Sequence, residues 1–450
     1  MKVMDRRATY LLIAGIALGG CQWVKPSAKS VSSTAAPAPV QYVPARDGLP
    51  TSKIWKSQIA FGDINGDGFP DIGAISRLAD GPYIWQGDGK GHWTDASSGL
   101  PRESFCGGGM AFGDANNDGK QDVAIADHCR GVFVFFGDGA GHWKNASAGL
   151  PTIGAEDVTV GDFNHDGCLD LAIVAASDEG VRAFTGDCHG VWKESSKGLA
   201  RTEWGQAIDS ADIDGDGNVD LAVAYSAGPR VWLGDGKGGW REGSEGLPAP
   251  DIHGLYQGIA IGDVNGDGKL DIAAGSATGG AEVFIQDPGP KWHAASDGII
   301  PMNVVFGVAL GDLNNDGHVD LVAAGKTALD EIGGVYGVFP FLGDGAGHWK
   351  VMENSGLPTT GREKSWGVGL ADIDKDGVLD IGVAFGDVLS PTWHSGPPHK
   401  GGKGKDEKGE KKEDKKDDKK DEKKPAAKSA GPQRGMFGSI EVWRGQLSAK

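Results

Sequence analysis

The sequence predicts an all-β fold, a seven-bladed β-propeller of four-stranded antiparallel blades in which an N-terminal strand closes the last blade. Three observations lead there. A nine-residue pattern, Asp-x-(Asn/Asp)-x-Asp-Gly-x-x-Asp, occurs seven times, starting at Asp63, Asp114, Asp162, Asp212, Asp263, Asp312 and Asp372. The copies lie about fifty residues apart, a period that marks supersecondary units too small to bury their own cores. The segments between copies read as short strands and tight turns, not helices.

Within one unit the elements follow in order. Ahead of the pattern lies an apolar run such as Gln58-Ile59-Ala60-Phe61-Gly62, rich in Ala and Gly as a strand crowded against a central axis requires. After it comes a small-residue, β-branched run such as Asp-Ile-Gly-Ala-Ile from Asp71 or Asp-Leu-Ala-Val-Ala from Asp220. A third strand follows, as in Tyr83–Trp85 and Val132–Phe135, then a Gly-Asp-Gly-type turn. The fourth opens with Trp and ends in Gly-Leu-Pro, as in Trp93 to Pro101, Trp143 to Pro151, Trp240 to Pro248 and Trp349 to Pro358. The Trp recurs at Trp192 and Trp292 and is expected to be core between blades.

The ends of the chain complement each other. The last repeat stops in a third strand, Ile440–Trp443, while Gln41 to Pro50 matches His92 to Pro101 yet precedes the first repeat. Residues near 41 to 46 are therefore expected to form the outer strand of blade seven, leaving no open edge. An unclosed solenoid is the alternative reading of the same period.

The nine-residue pattern has the chemistry of a metal loop. Side-chain oxygens at positions 1, 3, 5 and 9, Gly at position 6 and a free carbonyl at position 7 suit a hard cation that takes about six to eight oxygens. The expected ligands are Asp63, Asn65, Asp67 and Asp71 with the carbonyl of Phe69, and Asp114, Asn116, Asp118 and Asp122 with that of Lys120. Next come Asp162, Asn164, Asp166 and Asp170 with Cys168, then Asp212, Asp214, Asp216 and Asp220 with Asn218. The last three sets are Asp263, Asn265, Asp267 and Asp271 with Lys269, Asp312, Asn314, Asp316 and Asp320 with His318, and Asp372, Asp374, Asp376 and Asp380 with Val378. Ca²⁺, up to seven ions in a structural role, fits better than Zn²⁺ because no Cys and His cluster accompanies the loops. Asp, Asn and Gly also make plain turns, but seven copies with every oxygen position filled favour the metal. An EF-hand would need Glu at position 12, where Ala74, Ile125, Ile173, Val223, Ala274, Ala323 and Val383 stand instead.

On these loops and strands the chain resembles the FG-GAP or VCBS repeat propellers, whose best-known relative is the integrin α-chain head. The resemblance spans roughly residues 41 to 450. It implies Ca²⁺ in the first hairpin of each blade and ligand binding on the face opposite those hairpins, but no reaction.

The N-terminus reads as a lipoprotein signal over residues 1–20, with Lys2, Arg6 and Arg7 ahead of an apolar run from Ala8 to Leu18 and a Leu-Gly-Gly-Cys box ending at Cys21. Lipidation of Cys21 is expected, with residues 21–40 as a flexible tether to a bacterial envelope membrane; Gln22 favours the outer membrane. An ordinary cleaved secretory peptide is the alternative. The remaining cysteines permit three pairings. Register favours Cys106 with Cys129, which flank the first hairpin of blade two, and Cys168 with Cys188, which flank the second hairpin of blade three.

The formal charge of −18 is mostly metal ligand, since 23 of the 62 acidic residues sit in the loops. It argues against a nucleic-acid partner without indicating a cationic one. An insertion from about 390 to 434, with Lys and acid pairs such as Lys415 to Lys420, interrupts blade seven and is expected to be disordered, an exposed helix being the alternative.

Strand parity puts the metal loops on one face and the entries to the first strands on the other. Trp55, Glu156, Trp204, Gln206, Tyr256, Phe306 and Trp366 stand near those entries and form the candidate ligand face. Catalysis finds little support. His128, beside Asp127, and His253 are unassigned, with no Ser or Cys at a recognisable spacing. The sequence thus reads as a monomeric, non-catalytic module for protein interaction or adhesion, with a glycan-binding lectin as the alternative and a polysaccharide-active enzyme as a remoter one.

Overall fold

Seven four-stranded antiparallel sheets stand around one axis in a computed structural model that describes residues 40–176, 179–201, 203–249, 251, 254–289, 291–327, 336–389 and 435–447. The signal peptide, Cys21, His253 and the insertion of about 390 to 434 lie outside the described residues, as does the tether but for Val40. Blade 3 shows the plan: Ala155–Gly161, Asp170–Ala175, Val181–Gly186 and Trp192–Glu194 pair in chain order from the axis outward. Blades 2, 4, 5 and 6 repeat it. In blade 1 the inner strand is split into Ile54–Trp55 and Ala60–Gly62, both paired with Asp71–Arg77. Among the described residues there is no helix.

The inner strands of successive blades neighbour one another around the ring, and that of blade 7, Ser365–Ala371, meets Ala60–Gly62 of blade 1. Every residue of the second strands Asp122–Asp127, Asp170–Ala175 and Asp220–Tyr225 is buried, because these strands lie between two other blades. That is why they read as near-continuous apolar runs instead of alternating ones.

Closure is as expected, shifted by a residue. Val40–Pro44 pairs antiparallel with Ile440–Leu447, from Val40 opposite Leu447 to Pro44 opposite Trp443, and so supplies the outer strand of blade 7. A short ladder between Asp387–Leu389 and Gly435–Phe437 forms where the insertion leaves the blade.

The fourth strands are shorter than the sequence suggests. In five blades only three residues, such as Trp93–Asp95 and Trp143–Asn145, join the ladder, and in blade 5 four do. Beyond them Ser97 Oγ accepts from Ile84 N and donates to Ile84 O, replacing ladder pairing before the Gly-Leu-Pro turn. The turn then lies on the next blade, with parallel bridges Ser98 to His142 and Ala148 to Val191.

Each outer-strand tryptophan is buried and donates its indole N–H to the preceding blade. Trp93 reaches Ala45 O at 2.8 Å, Trp143 reaches Ala96 O at 2.8 Å and Trp349 reaches Ala295 O at 2.8 Å, with Trp192, Trp240 and Trp292 doing likewise. One such ring contributes roughly 4–6 kcal/mol of apolar burial as an upper bound. The two favoured disulfides are present, Cys106–Cys129 with Cα atoms 5.6 Å apart and Cys168–Cys188 with 5.2 Å. The first straddles Asp127, whose carboxylate accepts from Cys106 N at 2.7 Å and Cys129 N at 3.1 Å. The second pins the third nine-residue loop to the adjacent turn of its own blade.

Candidate functional site

Two constellations occupy opposite faces. On one, each nine-residue loop folds into nested turns held by its own oxygens. In loop 1, Asp63 Oδ1 accepts from Gly66 N at 2.8 Å and Oδ2 from Gly68 N at 2.7 Å, while Asn65 Oδ1 and Asp67 Oδ1 accept from Asp67 N and Phe69 N. The chain bends through position 4, which has positive φ in all seven loops and is filled by Gly66, Asn117, His165, Gly215, Gly266, Asn315 and Lys375.

The aspartate at position 9 does more than close a loop. Asp71 Oδ2 accepts from Ile64 N and Oδ1 from Gly87 N, each at 2.8 Å, so one carboxylate ties the loop to the end of the third strand. Asp122, Asp170, Asp220, Asp271, Asp320 and Asp380 repeat the clasp. All seven are buried. In the absence of a counter-cation, burial pushes Asp71 up to about 7 and Asp380 to about 8, against the pull of those backbone donors.

The donor set fits a hard divalent cation. In loops 4 and 7, carboxylate oxygens of Asp212, Asp214 and Asp216, and of Asp372, Asp374 and Asp376, converge to within 4.8 Å of one another. Both loops carry Asp at position 3 where the other five carry Asn, and both set an arginine against it. Arg241 stands 3.2 Å from Asp214 and Arg444 3.3 Å from Asp374. In the Asn loops the side-chain amide takes that place, as when Asn65 Nδ2 donates to Asp67 Oδ2 at 2.9 Å.

On the other face a β-bulge interrupts the inner strand of blades 3 to 7 at Glu156, Gln206, Gln257, Phe306 and Trp366, where the register with the second strand slips by one. A bulge re-aims its side chain. With Ser57 and Gly108 at the matching places of blades 1 and 2, these five side chains line one mouth at the axis, leaving about 30 Å³ free between them. All seven positions fall six residues ahead of the first Asp of their loop.

Charge at the mouth is arranged around Glu156. Lys56 Nζ lies 2.8 Å from Glu156 Oε2, and His128 Nδ1 pairs with Oε1. Burial alone would raise this carboxyl, but His128 and Lys56 outweigh it and hold Glu156 below the usual range. Across the opening, the rings of Phe306 and Trp366 lie 5.3 Å apart, and Lys364 Nζ sits 4.0 Å and 3.8 Å from their centres. Trp204 is 42% exposed beside His128.

The structure therefore brings Glu156, Gln206, Phe306 and Trp366 together and places Trp204 at the rim. It does not present Trp55, which is 1% exposed and packs edge-on against Tyr83 and Trp85 in the core. Nor does it present Tyr256, which is buried with its hydroxyl on Glu282. Tyr256 precedes the bulge of blade 5, and Trp55 lies in the first half of the split inner strand of blade 1, paired with Ser76; in both places the side chain turns into the blade. Gln257, Ser57 and Lys56 are not among the residues expected from the sequence, although the six-residue offset marks the first two.

The FG-GAP-like repeat family model matches residues 63–125, 114–173, 212–274 and 263–323. No curated protein matches the chain. Among solved structures, similarity is found to a lectin of Agrocybe aegerita described as recognising non-reducing terminal N-acetylglucosamine, with 17% identity, 69% of this chain and 84% of that one covered, and a TM-score of 0.42. BBS1N in a complex with ARL6DN shows 10% identity over 78% of this chain and 95% of its own at a TM-score of 0.49. YCF48 from Cyanidioschyzon merolae shows 14% identity over 77% and 96% at 0.45. The observed blades and the matched repeats agree: this chain is a seven-bladed β-propeller carrying FG-GAP-like repeats in four places.

Proposed function

We propose that the protein is a calcium-stabilised, non-catalytic binding propeller, anchored in the bacterial envelope through lipidated Cys21, that holds a protein partner across the mouth opposite its metal loops. One observation carries this reading: the bulges gather two aromatic rings, two amides and a clamped carboxylate from five blades into one opening. Such a mixture of anchors and polar groups suits recognition.

A protein partner is favoured over a small ligand because 30 Å³ admits one or two waters and no sugar ring. Contact must spread over the surrounding face, where Trp204, Leu255 and Leu78 are exposed. Both oxygens of Glu156 already have partners, Oε2 with the Lys56 ammonium and Oε1 with the His128 ring, which supports binding over acid or base work. A lectin is the second reading, favoured by Trp366 standing beside Gln206 and Gln257 as a stacking ring with amides.

The test is proximity labelling in the native envelope followed by binding of the partner found, with a glycan array in parallel. Trp366→Ala and Trp204→Ala should each weaken the interaction at least tenfold, about 1.4 kcal/mol, whereas Val191→Ala on the metal face should not. Partner or glycan binding indifferent to both tryptophans would refute the site, and turnover of a polysaccharide would refute the non-catalytic reading.

A further inference from the structure

Position 4 of the metal loop does something the nine-residue pattern does not require. In four loops its side chain crosses to the next blade and touches the segment that carries that loop's backbone ligand. Asn117 of loop 2 donates from Nδ2 to Gly167 O of loop 3 at 2.9 Å, and Asn315 of loop 6 donates to Gly377 O of loop 7 at 2.8 Å. His165 Nε2 of loop 3 lies 2.8 Å from Oδ1 of Asn218 in loop 4. Lys375 Nζ of loop 7 stands 4.7 Å from the centre of the Phe69 ring in loop 1. Gly167 and Gly377 occupy position 6, and Asn218 and Phe69 position 7.

The other three loops have Gly66, Gly215 and Gly266 at position 4, and a Cβ placed on any of them would meet nothing within 4 Å. Among the described residues, position 4 makes no side-chain crossing from loop 1 to 2, from 4 to 5 or from 5 to 6. The four crossing residues all hold the left-handed conformation, with φ of 56° at Asn117, 60° at His165, 58° at Asn315 and 61° at Lys375. That conformation is uncommon for Lys, and glycine would adopt it freely.

We infer that Asn117, His165, Asn315 and Lys375 are positioning residues for the carbonyl ligand of the following loop, so that calcium fills the ring in two linked runs, loops 2–3–4 and loops 6–7–1, with loop 5 on its own. The inference rests on the calcium reading above. An ion that orders one loop fixes its position 4, and the crossing contact then pre-orders positions 6 and 7 of the neighbour. Coupling of this kind is reciprocal, so each member of a run raises the affinity of the next and is raised by it.

Calorimetric calcium titration of the full chain tests this. Asn117→Gly and Asn315→Gly remove the crossing contacts but keep a residue suited to the turn, the one that loops 1, 4 and 5 already carry. Each should keep the number of ions bound, lower the affinity within its own run severalfold and make the titration less steep. Asp166→Asn in loop 3 should lose one ion and weaken two more, whereas Asp267→Asn in loop 5 should lose one and leave the rest unchanged. The calcium-free melting temperature should not differ between wild type and the glycine variants, which separates positioning from general stability.

Glycine variants that titrate like wild type, or that melt as much lower without calcium as with it, would overturn the inference while leaving calcium binding intact. A wild type that takes up no calcium would instead overturn the metal reading itself.

Discussion

Gly356 lies against the backbone of Tyr42, so close that a Cβ at that glycine would stand 2.5 Å from the Tyr42 carbonyl oxygen. The same contact joins every other pair of neighbouring blades, for example Gly48 to Trp93 O at 2.1 Å and Gly99 to Trp143 O at 2.2 Å. Tyr42 takes the place of the missing seventh tryptophan, and the ring is sealed between residues more than three hundred positions apart.

Gly356→Ala should therefore lower stability by roughly 2–3 kcal/mol, combining a left-handed residue with a backbone clash. Gly361 provides the control, with φ of 80° and nothing within 4 Å of an added Cβ. Gly361→Ala should cost only about 1 kcal/mol of backbone strain. Equal losses in the two variants, measured by denaturant unfolding, would show that closure does not depend on this contact.

Removing calcium should lower the melting temperature by about ten degrees or more, because each ion at a hundredfold excess over its dissociation constant adds about 2.7 kcal/mol. The seven position-9 carboxyls make the metal-free state costly. Burial lifts Asp122 to about 7 and Asp320 to about 8, with neighbouring loop aspartates adding to the rise. A melt unchanged by chelation would dispose of the structural role of the metal.

Stability should also depend on Asp157 at the axis. This buried carboxyl accepts from Val158 N at 2.9 Å and Ile208 N of the next blade at 3.1 Å, and burial raises it from 3.8 to about 8. A group whose folded pKa lies above its unfolded one contributes fully below the unfolded value, and that contribution fades as pH climbs through the folded value. Held in saturating calcium, the wild type should thus lose stability between about pH 4 and pH 8, and Asp157→Asn should lose less. Parallel pH profiles for the two proteins would refute this.

The ring was legible in the sequence because two independent signals repeat. Loop oxygens mark the first hairpin, and Trp with Gly-Leu-Pro marks the joint between blades, so even the zipped closure at Gln41 to Pro50 followed. The mouth was only half legible. Alternation along the inner strands is a period-two rule, and a bulge at Glu156 or Trp366 breaks the parity at the place where the site begins. Period-two alternation therefore puts Tyr256 at the mouth in place of Gln257, and Trp55 fails to reach it because the inner strand of blade 1 is split. The pairing of Lys56 and His128 with Glu156 joins three blades, and no local pattern encodes it.

The two loops with four aspartates offer a last test. Arg444 Nη1 stands 3.3 Å from Asp374 and Arg241 Nη2 3.2 Å from Asp214, so each arginine shares a carboxylate that calcium would claim. An arginine here relieves repulsion among the loop carboxylates before the ion arrives and opposes the ion once it does. Removing it should therefore act in opposite directions on the two states. Arg444→Ala should lower the calcium-free melting temperature slightly and raise the affinity of loop 7 by roughly three- to tenfold, about 1 kcal/mol for a pair in contact with solvent. Asp374→Asn, which converts loop 7 to the arrangement of the five Asn loops, should make the affinity insensitive to Arg444. If calorimetry found affinity falling in Arg444→Ala, the arginine would be supporting the bound loop and not competing with the ion.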